Sequence, residues 1–130
     1  MSTINLIKYS KSIEPNKATK IKVFNGFFCD EFRIKNYDED IDTYFLQELD
    51  IDFIVRGLEH YIEVNKVSAQ NPAETFVNAV YELFEHVAKV YNSKNVILSD
   101  MDKNREFFER TKEITSKLRR RPRKILCKSE

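Results

Sequence analysis

Between Asp50 and Tyr91, apolar residues return every three or four positions, the spacing that lines one face of an α-helix. Ile51, Ile54, Val55, Leu58, Tyr61 and Ile62 form one such stripe, opened by Asp50 or Asp52 as a cap and ending near Val64. Phe76, Val77, Val80, Leu83, Phe84, Val87, Val90 and Tyr91 form a longer one. Its start reads as Asn71 in the capping position, Pro72 at the first helical residue and Glu74 in the first turn, and Asn92-Ser93 close it. A shorter helix carrying Ile41, Tyr44, Phe45, Leu46 and Leu49 starts at Asp40 or Asp42, where carboxylates complement the helix dipole. After Val96-Ile97-Leu98, Ser99 or Asp100 caps a last helix with Phe107, Phe108, Ile114 and Leu118. That helix stops before Pro122, because proline disfavours the helical conformation in the residue ahead of it.

The first third of the chain carries a different signal. Asn25-Gly26 lies between Ile21-Lys22-Val23-Phe24 and Phe27-Phe28, and Asn-Gly tolerates the positive φ angles of a type I′ turn, so this stretch reads as a β-hairpin. Ile4 to Tyr9 offers a third short strand, and Ser10 to Lys20, polar and containing Pro15, reads as a linker. The expected fold is therefore mainly α: a small bundle of about four helices preceded by a short N-terminal β-hairpin. The expected division is an arm over 1–37, a helical bundle over 38–121 and a basic linker over 122–130.

Composition agrees with a folded, helix-rich chain. Of the 130 residues, 42% are hydrophobic and 33% charged, with only two glycines and three prolines. The net charge of +1 hides an asymmetry. Lys8, Lys11, Lys17, Lys20 and Lys22 precede an acidic block of Asp38, Glu39, Asp40, Asp42, Glu48, Asp50 and Asp52, and Lys117, Arg119, Arg120, Arg121, Arg123, Lys124 and Lys128 follow at the end. Like charges in blocks mark solvated or partner-facing surface. No apolar run approaches the roughly 20 residues of a membrane span, and no secretory signal is present, so no membrane partner and a cytoplasmic location are expected. Cys29 and Cys127 are far apart and belong to no CxxC, which reads as two free thiols.

Little in the chain reads as catalytic chemistry. His60 and His86 each sit beside a glutamate within a helical pattern, but no further ligand spacing accompanies them, and they read as boundary histidines. The Asp38 to Asp42 block lacks the glycine and spacing of a calcium loop. With only Gly26 and Gly57, no phosphate-cradling loop can be built. No cofactor, no metal and no catalytic residue is expected. What remains is the run from Lys117 to Lys124, where six cations exceed what a helix C-terminus needs to offset its dipole. It reads either as a polyanion contact or as a solvated tail.

The stretch from Asp52 to Tyr91 resembles the N-terminal core-binding domain, a SAM-like helical bundle, of tyrosine recombinases of the phage-integrase type. The likeness rests on Tyr61-Ile62-Glu63-Val64-Asn65-Lys66-Val67-Ser68 at the end of one helix and on Phe76, Val80, Leu83 and Phe84 in the next. Asn71-Pro72 stands where the family usually has a threonine, and Phe76 where it has a tyrosine. The resemblance implies a module that holds double-stranded DNA during site-specific recombination, with the Arg119 to Lys124 segment leading toward a catalytic domain that this chain does not contain. It also allows the Asn25-Gly26 hairpin to be a remnant of an arm-binding unit.

Two readings of function follow. In the first, Lys117, Arg119, Arg120, Arg121, Arg123 and Lys124 contact DNA phosphates, with Lys66, Ser68, Gln70 and Asn71 near a helix start also in reach. In the second, the chain is a small phage or plasmid protein-interaction or regulatory module whose acidic block and exposed aromatics dock a protein; the near-neutral net charge favours it.

Overall fold

The computed structural model describes residues 2–118. Its elements run β1 (Thr3–Ile4), α1 (Leu6–Ser10), α2 (Pro15–Glu31), β2 (Ile41–Asp42), α3 (Thr43–Gln47), α4 (Ile51–Val64), α5 (Gln70–Tyr91), α6 (Val96–Ser99) and α7 (Met101–Thr115). The fold is mainly α, and its four long helices, α2, α4, α5 and α7, surround one hydrophobic core.

The two strands form an antiparallel pair with Thr3 opposite Asp42 and Ile4 opposite Ile41. This pair is the short β element of the fold, and it joins residues far apart in sequence. The hairpin expected at Asn25-Gly26 does not form; both residues lie inside α2. Pro15, read as part of a linker, occupies the first position of that helix, where a missing N–H costs nothing, and the Glu14 side chain accepts from the Asn16 N–H at 2.9 Å. Ile4 is in a strand, but Leu6 to Ser10, read with it as extended, is helical.

Burial explains why α2 wins over the turn. Ile21, Phe24 and Phe28 are fully buried at helical spacing, and Phe24 meets Phe53 and Phe76 edge-on at 6.2 and 6.3 Å. Packing these rings stabilises the helix by several kcal/mol, on the order of 1.5–3 for each apolar side chain buried, more than the preference of one dipeptide. Asn25 serves as a buried bridge instead of a turn residue: its Nδ2 donates to the Tyr37 carbonyl at 2.8 Å, tying the returning loop to the helix. Lys20 is also buried, with Nζ donating to Asn16 Oδ1 at 3.0 Å and lying 5.8 Å from the Tyr61 ring centroid. The segment expected as a separate arm over 1–37 thus contributes Ile4, Leu6, Ile21, Phe24, Phe27 and Phe28 to the same core as α4 and α5.

The remaining helices follow their caps. The Asp42 side chain accepts from Tyr44 N–H at 3.0 Å, that of Asp50 from Phe53 N–H at 2.8 Å, and that of Asp100 from Asp102 N–H at 2.9 Å. Asn92 closes α5 in the left-handed conformation, with φ 55°. α7 ends at Thr115, before Pro122 as expected, and Leu118, read as part of the helix, lies beyond its end. The start of α5 differs: Ala69, not Asn71, is the capping residue, and Pro72 falls at the third helical position, still within the turn whose N–H groups have no partner in the helix. Between α5 and α7, the buried Asn95 holds the chain, its Nδ2 donating to the carbonyls of Leu46, Gln47 and Leu49 at 2.8, 3.1 and 2.9 Å. Among the described residues, no helix is long and apolar enough to cross a membrane.

Candidate nucleic-acid interface

The turn from α4 to α5 carries the first group of candidate residues. α4 ends on Asn65, and Lys66 then adopts φ 51°, after which the Val67 N–H donates back to the Ile62 carbonyl at 2.9 Å. This is the left-handed closure that usually takes glycine, because a Cβ crowds the backbone there. A lysine in its place puts an exposed ammonium-bearing side chain on the outer side of the turn. Ser68 follows it, exposed, and α5 opens at once with Gln70 and Asn71.

The α5 N-terminus has no side-chain cap, since Ala69 has no acceptor to offer. The helix dipole leaves partial positive charge at this end, carried by few donors because Pro72 has no N–H. Gln70 is only partly available: its Nε2 donates to Glu74 Oε2 at 3.0 Å. Asn71 is exposed, and its carbonyl accepts from Thr75 Oγ1 at 2.9 Å. Lys66, Ser68, Gln70 and Asn71 are thus consecutive around one turn, as the sequence spacing implies, with Gln70 turned along the helix.

The end of α7 lies beside the same end of α5. Glu74 and Val77 of α5 share a groove of about 360 Å³ with Phe108, Thr111 and Thr115 of α7. Lys117, exposed just beyond Thr115, thereby falls at the end of the bundle that presents the α4–α5 turn. The other expected phosphate contacts, Arg119, Arg120, Arg121, Arg123 and Lys124, lie outside the described residues, as does the 122–130 linker.

Other sequence readings resolve into structural roles. Of the acidic block, Asp42 and Asp50 are caps, and Asp52 pairs with Arg110 at 2.6 Å. His60 packs against Phe27 with centroids 5.1 Å apart, and His86 packs against Tyr9 at 4.8 Å. Among the described residues, no three of the His, Cys, Asp and Glu side chains gather into a group able to hold a metal ion. Cys29 is a buried free thiol; burial, followed by the charges of Asp30 and Glu39, pushes its pKa up and keeps it protonated. The N-terminal end of α5 brings together the Lys66 ammonium, the Ser68 hydroxyl and the amides of Gln70 and Asn71, with the Glu74 carboxylate one turn into the helix and held by Gln70.

Comparison of the chain with protein-family models, with curated proteins and with solved structures finds no match. The recombinase resemblance accordingly rests on the residues themselves.

Proposed function

We propose that this chain is a DNA-binding module, the DNA-holding part of a tyrosine-recombinase-type integrase, acting in the cytoplasm together with that recombinase's catalytic domain. The observation that carries the reading is a convergence. The α4–α5 turn with Lys66 and Ser68, the uncapped start of α5 and Lys117 at the end of α7 share one end of the bundle, and the chain continues from there into Arg119, Arg120, Arg121, Arg123 and Lys124. Main-chain N–H groups and lysines together suit phosphate oxygens. α4 and α5 also correspond to the two helices on which the resemblance rests.

In this reading affinity comes from neutralising phosphates, and the rigid α4–α5 pair sets the register of the module on the duplex. Fluorescence anisotropy with labelled duplex DNA at rising salt tests it. Binding should fall log-linearly with salt, with a slope of about 0.9 per phosphate contacted. Binding that ignores salt, or none at low salt, would sink the proposal.

A further inference from the structure

The opposite end of α5 carries a second recess. A cavity of about 310 Å³ opens between α1, the loop before β2 and the last turns of α5. Tyr9, His86 and Tyr91 give it a run of rings, with centroids 4.8 Å apart for Tyr9 and His86 and 6.2 Å apart for His86 and Tyr91. Asp40 lines the same cavity. Asn5 Nδ2 donates to Oδ1 of Asp38 at 3.0 Å and to Oδ1 of Asp40 at 3.2 Å, which holds the Asp40 carboxylate at the cavity wall and ties Asp38 to the same amide. Among the described residues, Asp40 has no ion-pair partner.

The chemistry of this recess favours a cation. Tyrosine rings present negative faces, and a held carboxylate nearby adds full charge to them. Further carboxylates lie near, Glu82 paired with Lys17 at 2.7 Å and Glu85: the Tyr9 phenol holds its proton above the ordinary tyrosine range because of burial and then the charges of these two residues. An arginine suits such a site better than a lysine. Its guanidinium is planar, so it can lie against a ring while its edge donates two parallel hydrogen bonds to one carboxylate, and it is the more weakly hydrated of the two cations. The exposed Asp38, tied to Asp40 through the same Asn5 amide, extends the negative surface beyond a single side chain, which fits an arginine carried on a protein more than a free small molecule.

We propose that the recess formed by Tyr9, His86, Tyr91 and Asp40 receives an arginine side chain presented by a partner protein. It lies at the far end of a 22-residue helix from Gln70, on the order of 30 Å away by helical rise, so it can be filled whether or not the other end holds DNA. The proposal stands independently of the DNA-binding reading. Lys8, exposed at the rim, opposes a second cation, so removing it should tighten binding.

NMR titration of the full chain with a short blocked peptide containing one arginine tests this, with the matched citrulline peptide and inorganic phosphate as separate arms. The expected result is saturable shifts at Tyr9, His86 and Tyr91 with the arginine peptide and not with citrulline. Affinity should weaken about tenfold in Asp40→Asn and strengthen in Lys8→Ala, an exposed change that leaves the core untouched. Equal shifts with citrulline, unchanged affinity in both variants, or phosphate moving the same resonances would overturn the proposal.

Discussion

The two ends of α5 belong to one 22-residue helix and rest on one core, yet they present opposite chemistry. At the start, an uncapped helix N-terminus, Lys66 and Lys117 stand together, and the chain runs on into its densest cluster of arginines. At the finish, Tyr9, His86 and Tyr91 meet Asp40 in a recess with Lys8 at its rim and Asp38 tied to Asp40 through Asn5. A near-neutral net charge is therefore compatible with surfaces of unlike charge at the two ends, because it averages over surfaces that never meet. The difference also separates two kinds of positioning. Lys66 to Asn71 of the basic end are local sequence, a turn and a helix start, to which the packing of α7 adds Lys117, whereas the acidic end is assembled wholly from α1, the loop before β2 and α5, which only the tertiary fold brings together.

The largest test removes the core that both ends share. Phe24→Ala, at a fully buried ring packed on Phe53 and Phe76, should cost about 3–5 kcal/mol in urea denaturation and weaken both ends together. A cost below about 1 kcal/mol would mean that the first 37 residues are a detachable arm after all, as the sequence suggested. Next, reversing Arg119, Arg120 and Arg121 to glutamate should lower DNA affinity by at least about tenfold and flatten its salt dependence. The arginine-peptide shifts at Tyr91 should remain. Loss of both activities would erase the distinction between the ends.

Smaller effects separate stability from binding. Lys66→Gly relieves a side chain from a φ of 51° and should stabilise the fold by about 1 kcal/mol, while DNA binding weakens. A thermal melt paired with anisotropy reads both, and unchanged DNA affinity would remove Lys66 from the interface. Gly26→Ala should stabilise by about 0.5–1 kcal/mol and leave both ends unaltered, since Gly26 is helical and a Cβ there meets no atom within 4 Å. In a type I′ turn, the same change would destabilise.

The smallest expected effect is alkaline. Burial raises the pKa of Tyr61, stacked on Phe76 near the start of α5, and burial with Glu82 and Glu85 raises that of Tyr9 near its end. A phenol whose folded pKa is raised holds its proton more tightly in the folded state. Its contribution is full below the unfolded value of about 10 and fades as pH climbs through the folded value. Stability should therefore decline above about pH 10, less steeply in Tyr9→Phe and in Tyr61→Phe. Added salt should soften only the Tyr9 part, where charges contribute, and equal softening at both would contradict the assignment of causes.

Where structure is local, the residues were legible in advance. Asp42, Asp50 and Asp100 are each one of the two caps the residues left open for their helices, and Asn92 closes α5 as read, because a cap is a contact between neighbours in sequence. The stripes of α4 and α5 were equally plain, since their buried faces are almost wholly apolar. The start of α5 slid to Ala69 because Pro72 fits any of the first helical positions, so the motif did not single one out.

α2 hid for the opposite reason. Lys20 and Asn25 sit on its buried side and break the apolar rhythm, while Asn25-Gly26 imitates a turn. Only the tertiary structure supplies what makes those polar residues acceptable inside: Asn16 and the Tyr61 ring for Lys20, and the Tyr37 carbonyl for Asn25. The candidate sites divide in the same way. The turn carrying Lys66 to Asn71 is contiguous and could be named from sequence, whereas no pattern links Tyr9, Asp40, His86 and Tyr91 until three segments pack. The sequence by itself determined the helical character, the caps and the segregation of charge, since these depend on neighbours along the chain. The tertiary structure alone decided that the first segment is helix and core and that the acidic end holds a recess, because burial and its compensating hydrogen bonds depend on residues distant in sequence.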